Sequence, residues 1–136
     1  MIRTAHAVWD GGLKDGKGVV STQSTALNGM QYSFRTRFED GVGVNPEELI
    51  AAAHASCFSM ALSAQLGDRG ISGKVDTTAA VTMENLAITK SALTTTVTAP
   101  GADRAKIEEA AHAAKEGCPI SKVLNAEITL DLTIDA

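Results

Sequence analysis

The 136-residue sequence is poor in the residues that mark several classes of protein. Two cysteines, Cys57 and Cys118, are too few for the disulfide framework of a small secreted domain. Lys and Arg total 12 against 16 Asp and Glu, a formal net charge of −4, and no basic run is present, so nothing marks a nucleic-acid or anionic-membrane partner. Aromatic residues make up only 4%. A core of small aliphatic side chains buries only a modest apolar area. The chain would gain by burying more surface against a second copy, so we expect a homo-oligomer.

Targeting and membrane-spanning segments are also not apparent. Residues 1–6 show no charged region followed by an apolar one, so no signal peptide is expected. The longest apolar stretch, residues 49–66, contains His54, Cys57 and three serines, which favours a buried helix over a membrane span. We therefore expect one domain over residues 1–136, located in the cytoplasm.

The first forty residues have the pattern of strands joined by glycine-rich turns. Residues 4–9 and 19–22 are β-prone, and Asn28-Gly29 is a strong turn signal. Residues 31–38 alternate, which places Arg35 and Arg37 on one face of a third strand and Tyr32, Phe34 and Thr36 on the other. The pattern predicts a three-stranded meander.

The clearest helix start in the chain is at Asn45, which is a good N-cap. Pro46 follows at the first helical position, and Glu48 at the third completes a capping-box pattern. Because apolar residues lie nearly all the way round the helix, which ends near residue 66, we expect it to be central and buried.

The second half of the chain alternates between strand and helix patterns. Residues 75–83 and 93–97 read as a hairpin, residues 103–116 as a helix capped by Asp103, and residues 128–134 as a half-buried strand. Pro119 opens a short helical turn with Cys118 at its N-cap. The order βββ-α-ββ-α-β predicts an α+β fold, an antiparallel-rich sheet wrapped on a long central helix.

The two cysteines lie in environments with opposite effects on a thiol. Cys118 at a helix N-cap faces unpaired backbone N–H groups, which favour a thiolate. Cys57 lies within an apolar helix, where its pKa would be raised unless a cation reached it, and an inert buried thiol is the simpler interpretation. Arg37 is a candidate cation, although an arginine near Glu39 and Asp40 is also typical of a solvated surface pair.

Other chemical roles are less well supported by the residues. Glu47 could serve only to complement the helix dipole. His54, three residues before Cys57, could act as its base, but a hydrogen-bonded core histidine is the more common case. The two cysteines and the histidines His6, His54 and His112 lack zinc-ligand spacing, so we expect no metal.

Two segments, residues 45–62 and 117–124, resemble the two cysteine motifs of the OsmC/Ohr family, and the details resemble the OsmC branch. The resemblance extends over essentially the whole chain. It implies an intertwined homodimer, with active sites at the subunit interface, that reduces organic hydroperoxides. By this resemblance Cys57 is the peroxidatic and Cys118 the resolving cysteine, while Arg37 and Glu47 assist. It implies no bound cofactor and an external thiol or dithiol reductant, for which a lipoyl-type dithiol is the candidate.

Helix geometry adds a constraint to this interpretation. Glu47 and Cys57 are ten residues apart on one predicted helix, or about 15 Å, so we expect each site to combine residues of two subunits. Arg35 remains an alternative to Arg37. Phe38, Phe58 and Met60 could line an apolar substrate site or belong to the core. The alternatives to an enzyme are a non-catalytic redox sensor or binding protein that uses the same cysteine pair, and a structural dimer with inert thiols.

Overall fold

The structure is a computed structural model that describes all residues from 1 to 136. It divides into two compact units, Met1–Leu49 and Ile50–Ala136. The first unit contains a sheet of three antiparallel strands in the order β1 (Ala5–Asp10), β2 (Lys17–Thr22) and β3 (Met30–Tyr32). A short helix, α1 (Phe34–Phe38), follows, and the long helix α2 (Pro46–Asp68) begins in this unit.

A glycine in the middle strand of this sheet allows two aromatic rings to meet. Gly18 is paired with Trp9 on one side and with Tyr32 on the other. A Cβ at Gly18 would lie 2.5 Å from the Tyr32 ring, so a side chain there would displace it. Without one, the Trp9 and Tyr32 rings approach to 5.6 Å between centroids. This pair forms part of the wall of a surface pocket described below.

The prediction of a continuous strand over residues 31–38 is wrong beyond Tyr32. Ser33 begins α1 with a capping box, because its hydroxyl accepts from the Thr36 N–H and the Thr36 hydroxyl accepts from the Ser33 N–H. Phe34 and Phe38, four residues apart, then bring their rings to 4.9 Å on one side of the helix. These local contacts favour a helical turn over the extended chain that the alternation suggested.

The predicted start of α2 is confirmed. The Asn45 side chain accepts from the Glu48 N–H at 2.7 Å and donates to the Thr36 carbonyl at 2.9 Å, which joins the starts of α1 and α2. The prediction that this helix is buried on all sides is wrong. A single stripe is buried, whereas Met60 is 75% exposed. The buried residues recur every four positions: His54, Phe58, Leu62 and Leu66.

By length and composition alone, α2 could also cross a membrane. The core helices of water-soluble proteins pass the same test. This strongly apolar helix keeps one face uncovered within the single chain.

The second unit contains the remaining elements and the hydrophobic core. The hairpin β4 (Lys74–Glu84) and β5 (Ala87–Thr98) turns at Asn85 and Leu86, both with positive φ. β6 (Glu127–Asp135) pairs with β5 in parallel, after α3 (Arg104–Gly117) and α4 (Pro119–Val123). The core joins α2, β5 and α3, and its fully buried members include Phe58, Leu62, Leu93, Val97, Ile107 and Ala110.

The α+β class is therefore confirmed, and so is the antiparallel-rich character, since only the β5–β6 pairing is parallel. The single wrapped sheet is not observed, because the strands form two separate sheets of three. The element order also differs from the prediction by the short helix α1. The predicted helical turn that Pro119 opens, with Cys118 at its N-cap, is confirmed as α4.

Substitution of Asn45 tests how much this junction stabilises the fold. Asn45→Ala removes the cap and the bond to Thr36, and we expect the free energy of unfolding to fall by about 1–2 kcal/mol. Asn45→Asp keeps the capping acceptor and loses only the donor, so it should retain most of the stability. Urea denaturation of both variants measures the difference, and equal stabilities of wild type and Asn45→Ala would contradict the assignment.

Candidate active site

The second unit brings its two cysteines into contact. Cys57 lies on α2 and is partly exposed, whereas Cys118 is fully buried at the residue that ends α3 and begins α4. The side chains hydrogen-bond to each other although 61 positions separate them in the sequence, and both are free thiols. A shallow surface depression exposes Cys57 beside Met60, Pro119 and Ile120.

The environments of the two thiols shift their pKa values in opposite directions. Burial raises the pKa of Cys57, and the contact with Cys118 raises it further against a smaller opposing effect of the Ile120 N–H. None of these contributions comes from a positively charged side chain. Cys57 therefore has the environment of a poorly ionised thiol, as its position within an apolar helix predicts.

Burial would also raise the pKa of Cys118, but hydrogen bonds reverse the sign. The Ser121 N–H, the Cys57 side chain, the Ser121 hydroxyl and the Ile120 N–H together lower the pKa. The Cys118 side chain makes no capping hydrogen bond to α4, so these groups act by favouring the charge of the thiolate. The prediction that Cys118 is the more acidic thiol is confirmed.

His54 is a hydrogen-bonded core residue. Its side chain is fully buried, with Nδ1 2.6 Å from the Ser91 hydroxyl and Nε2 2.8 Å from the Ser121 hydroxyl. Burial lowers the pKa of His54, which favours the neutral ring. Both nitrogens are occupied by serines, so the alternative in which His54 is the base for Cys57 is not supported.

The first unit holds the predicted arginine and glutamate as an ion pair. Arg37 Nε lies 2.9 Å from Glu47 Oε1, and the Glu47 side chain is only 14% exposed. The other carboxylate oxygen, Oε2, is buried and has no hydrogen-bond partner, so the contact is not the two-point pair that a planar guanidinium can form. Arg35 differs from Arg37: it is largely exposed and contacts Glu39 and the Asp40 carbonyl.

An apolar pocket of about 260 Å³ lies beside Arg37 within the first unit. Its wall includes the Trp9–Tyr32 pair, and the Arg37 guanidinium lies 5.4 Å from the centre of the Phe38 ring. Of the three predicted apolar substrate contacts, Phe38 lines this pocket. Met60 lines the depression at Cys57. Phe58 is fully buried in the core, so it offers no surface to a substrate.

Sequence reasoning missed the two serines that hydrogen-bond to His54. Ser121 is three residues after Cys118, and a hydroxyl at that position of a helix start could have been recognised. Ser91 is on β5, and no sequence signal links it to His54.

No group of three or more His, Cys, Asp or Glu is arranged to hold a metal.

Comparison with known proteins assigns the family. The profile of the OsmC-like protein family matches residues 39–133. The chain is 52% identical over 134 residues to "Peroxiredoxin OsmC" of Escherichia coli, covering 95% of this chain and 94% of that protein. It is 31% identical over 99 residues to "Organic hydroperoxide resistance protein OhrB" of Bacillus subtilis, covering 71% and 73% of the two chains. A solved organic hydroperoxide resistance protein OsmC from Legionella pneumophila aligns at a TM-score of 0.67 with 25% identity over 98% of this chain and 97% of that one. The chain belongs to the OsmC family.

Proposed function

We propose that the protein is a thiol peroxidase that reduces organic hydroperoxides to alcohols. The observation that carries this proposal is the contact between Cys57 and Cys118, one partly exposed and the other buried. Two such thiols can donate two electrons and become a disulfide without a large movement. The names of the E. coli and B. subtilis relatives, a peroxiredoxin and a hydroperoxide resistance protein, agree with this chemistry.

The reaction follows from the exposure of the two thiols. The Cys57 thiolate attacks the distal oxygen of the hydroperoxide; an S–O bond forms, the O–O bond breaks, and the leaving alkoxide takes a proton to become the alcohol. Cys57 is then a sulfenic acid. Cys118 attacks its sulfur, which forms the disulfide and releases the oxygen as water. An external thiol or dithiol, of the lipoyl type in our proposal, reduces the disulfide by exchange.

This mechanism needs a positive charge at Cys57. Its raised pKa leaves little thiolate at neutral pH, and a close opposite charge can lower a pKa by about 1–3 units. Arg37 is the cation that we assign to this role, with Glu47 orienting the guanidinium. The same charge would stabilise the alkoxide that leaves.

We assign Arg37 and Cys57 of each site to different subunits of an intertwined homodimer. Ten residues of helix span about 15 Å, which argues against Glu47 and Cys57 sharing a site within one chain. The exposed apolar surface supports a partner: Val8 and Trp9 of β1 and Met60 of α2 are all exposed in the single chain. The buried Glu47 Oε2 without a donor is a further sign of an incomplete site.

The pocket beside Arg37 suggests the substrate class. Its walls are mainly aromatic and aliphatic, so the alkyl group of an organic hydroperoxide gains from burial there, whereas hydrogen peroxide has no apolar part to bury. We therefore expect alkyl or lipid hydroperoxides to react faster than hydrogen peroxide. Free thiols that cycle through a disulfide fit a reducing compartment, and we assign the protein to the cytoplasm.

Serine substitutions of the two cysteines test the mechanism. Cys57→Ser should abolish hydroperoxide consumption, because the attacking sulfur is lost. Cys118→Ser should consume about one equivalent and leave a sulfenic acid that dimedone-type reagents trap. Coupled assays with a dithiol reductant and mass spectrometry measure both.

The reverse result, an active Cys57→Ser and an inert Cys118→Ser, would contradict the roles assigned to the cysteines. Wild-type protein that forms the disulfide once but does not turn over with any dithiol would favour the alternative, a redox sensor or binding protein.

The two arginines of α1 provide a matched pair for testing the cation. Arg37→Ala should raise the pKa of Cys57 and lower the rate of sulfenic acid formation at neutral pH about 10-fold to 100-fold. The neighbouring Arg35→Ala removes the same charge from an exposed site and should change the rate less than about twofold. Rate against pH gives the pKa, and equal losses in both variants would contradict a specific role for Arg37.

Mixing the inactive Cys57→Ser variant with the slow Arg37→Ala variant tests whether the sites are shared between subunits. In a heterodimer of Cys57→Ser and Arg37→Ala, sites built from two subunits leave one site with both Arg37 and Cys57, so activity should return after subunit exchange. Sites built within one chain would leave the mixture no faster than the residual rate of Arg37→Ala.

A further inference from the structure

A hydrogen-bonded chain of side chains runs through the core of the second unit to the buried cysteine. Ser91 on β5 bonds to His54 Nδ1, and His54 Nε2 bonds to Ser121 on α4. Ser121 is the third residue of α4, whose N-cap is Cys118, and its hydroxyl and backbone N–H favour the Cys118 thiolate. The mechanism above uses none of these three residues, yet His54 and Ser91 are fully buried, and buried polar groups are costly unless they are paired.

The direction of each hydrogen bond in this chain follows from its end at the sulfur. A thiolate can only accept a hydrogen bond, so the Ser121 hydroxyl donates one to Cys118 and its oxygen is left to accept from His54. His54 must then carry its proton on Nε2, and the bare Nδ1 accepts from the Ser91 hydroxyl. A neutral Nε2–H ring satisfies every bond, whereas the opposite tautomer would require Ser121 to donate to His54 instead of to the sulfur.

We propose that His54 is a positioning residue for the resolving step, which orients the Ser121 hydroxyl so that it donates to the Cys118 thiolate. The inference rests on the proposed function, because the resolving step is part of that reaction. The step is Cys57–SOH plus Cys118–SH giving the disulfide and water: the S–S bond forms, the S–O bond breaks, and the proton of the Cys118 thiol ends on the departing oxygen. His54 stays neutral throughout and acts only through Ser121.

Two substitutions of similar size separate this role from packing. In His54→Asn, the shorter side-chain amide reaches the place of Nδ1 and can keep the bond to Ser91 but not the one to Ser121. His54→Gln extends to the place of Nε2, where its NH2 group can donate to Ser121. Both side chains are neutral and polar, so a purely structural role for His54 would treat them alike.

The first measurement titrates Cys118 alone, in a Cys57→Ser background, by the ultraviolet absorbance of the thiolate. His54→Asn should raise the pKa of Cys118 by about one unit, because a misdirected Ser121 hydroxyl no longer stabilises the charge. His54→Gln should leave the pKa near that of the parent. This titration needs no peroxide, so it can succeed or fail independently of the proposed function.

The second measurement follows a single turnover in the protein with both cysteines. His54→Asn should slow disulfide formation about threefold to tenfold, since the loss of thiolate is partly offset by the greater nucleophilicity of a less acidic thiol. The rate of sulfenic acid formation at Cys57 should stay unchanged. An equal pKa shift in both His54 variants, or no shift in either, would overturn the proposal.

Wild-type protein gives a test that does not depend on the variants folding. Nitrogen NMR of histidine-labelled protein should show His54 as the neutral Nε2–H tautomer across the neutral pH range. A ring protonated on Nδ1 would overturn the proposal, because Ser121 would then be the donor to His54.

Ser121→Ala should raise the pKa of Cys118 as His54→Asn does, and an unchanged pKa would equally overturn the proposal.

Discussion

Ionisation of a thiol inside an apolar helix is the constraint on which the proposed chemistry depends. Cys57 is partly buried and its surroundings within Ile50–Ala136 disfavour the thiolate. Cys118, only a hydrogen bond away, is more deeply buried but lies at the start of α4, where N–H and O–H donors more than offset the loss of water. The position of Cys118 at a helix start thus outweighs the effect of burial on its pKa. In the proposed mechanism Cys57 reacts first, and it needs a positive charge from elsewhere to ionise.

The need for an outside charge connects the chemistry to the unfinished surfaces of the chain. The Arg37–Glu47 pair is formed within the first unit, but this unit buries few side chains and leaves Val8 and Trp9 exposed. α2 likewise covers one stripe and exposes Met60. A second subunit that covers these surfaces would remove apolar area from water and, in the arrangement that we propose, deliver the guanidinium. Assembly and ionisation of the catalytic thiol would then be the same event.

The success of the sequence predictions followed the strength of local signals. Asn45 and Asp103 start α2 and α3 as predicted because cap residues and backbone N–H groups are neighbours in the chain. Over residues 33–38 the alternation fits both an extended chain and a short helix, and the capping box of Ser33 and Thr36 favours the helix. The burial of α2 was overestimated, because composition shows how apolar a helix is but not which of its faces meets a neighbour.

Local sequence patterns were enough to predict the α+β class, the helix starts and the opposite environments of the two thiols, since each depends on residues within a turn or two of one another. Three contacts depend on packing between distant segments: Cys57 with Cys118, Arg37 rather than Arg35 with Glu47, and His54 with both Ser91 and Ser121. These contacts join residues from 10 to 67 positions apart. Residues so far apart in the sequence are brought together by packing of the core and by pairing of buried polar groups. No local sequence pattern encodes these contacts.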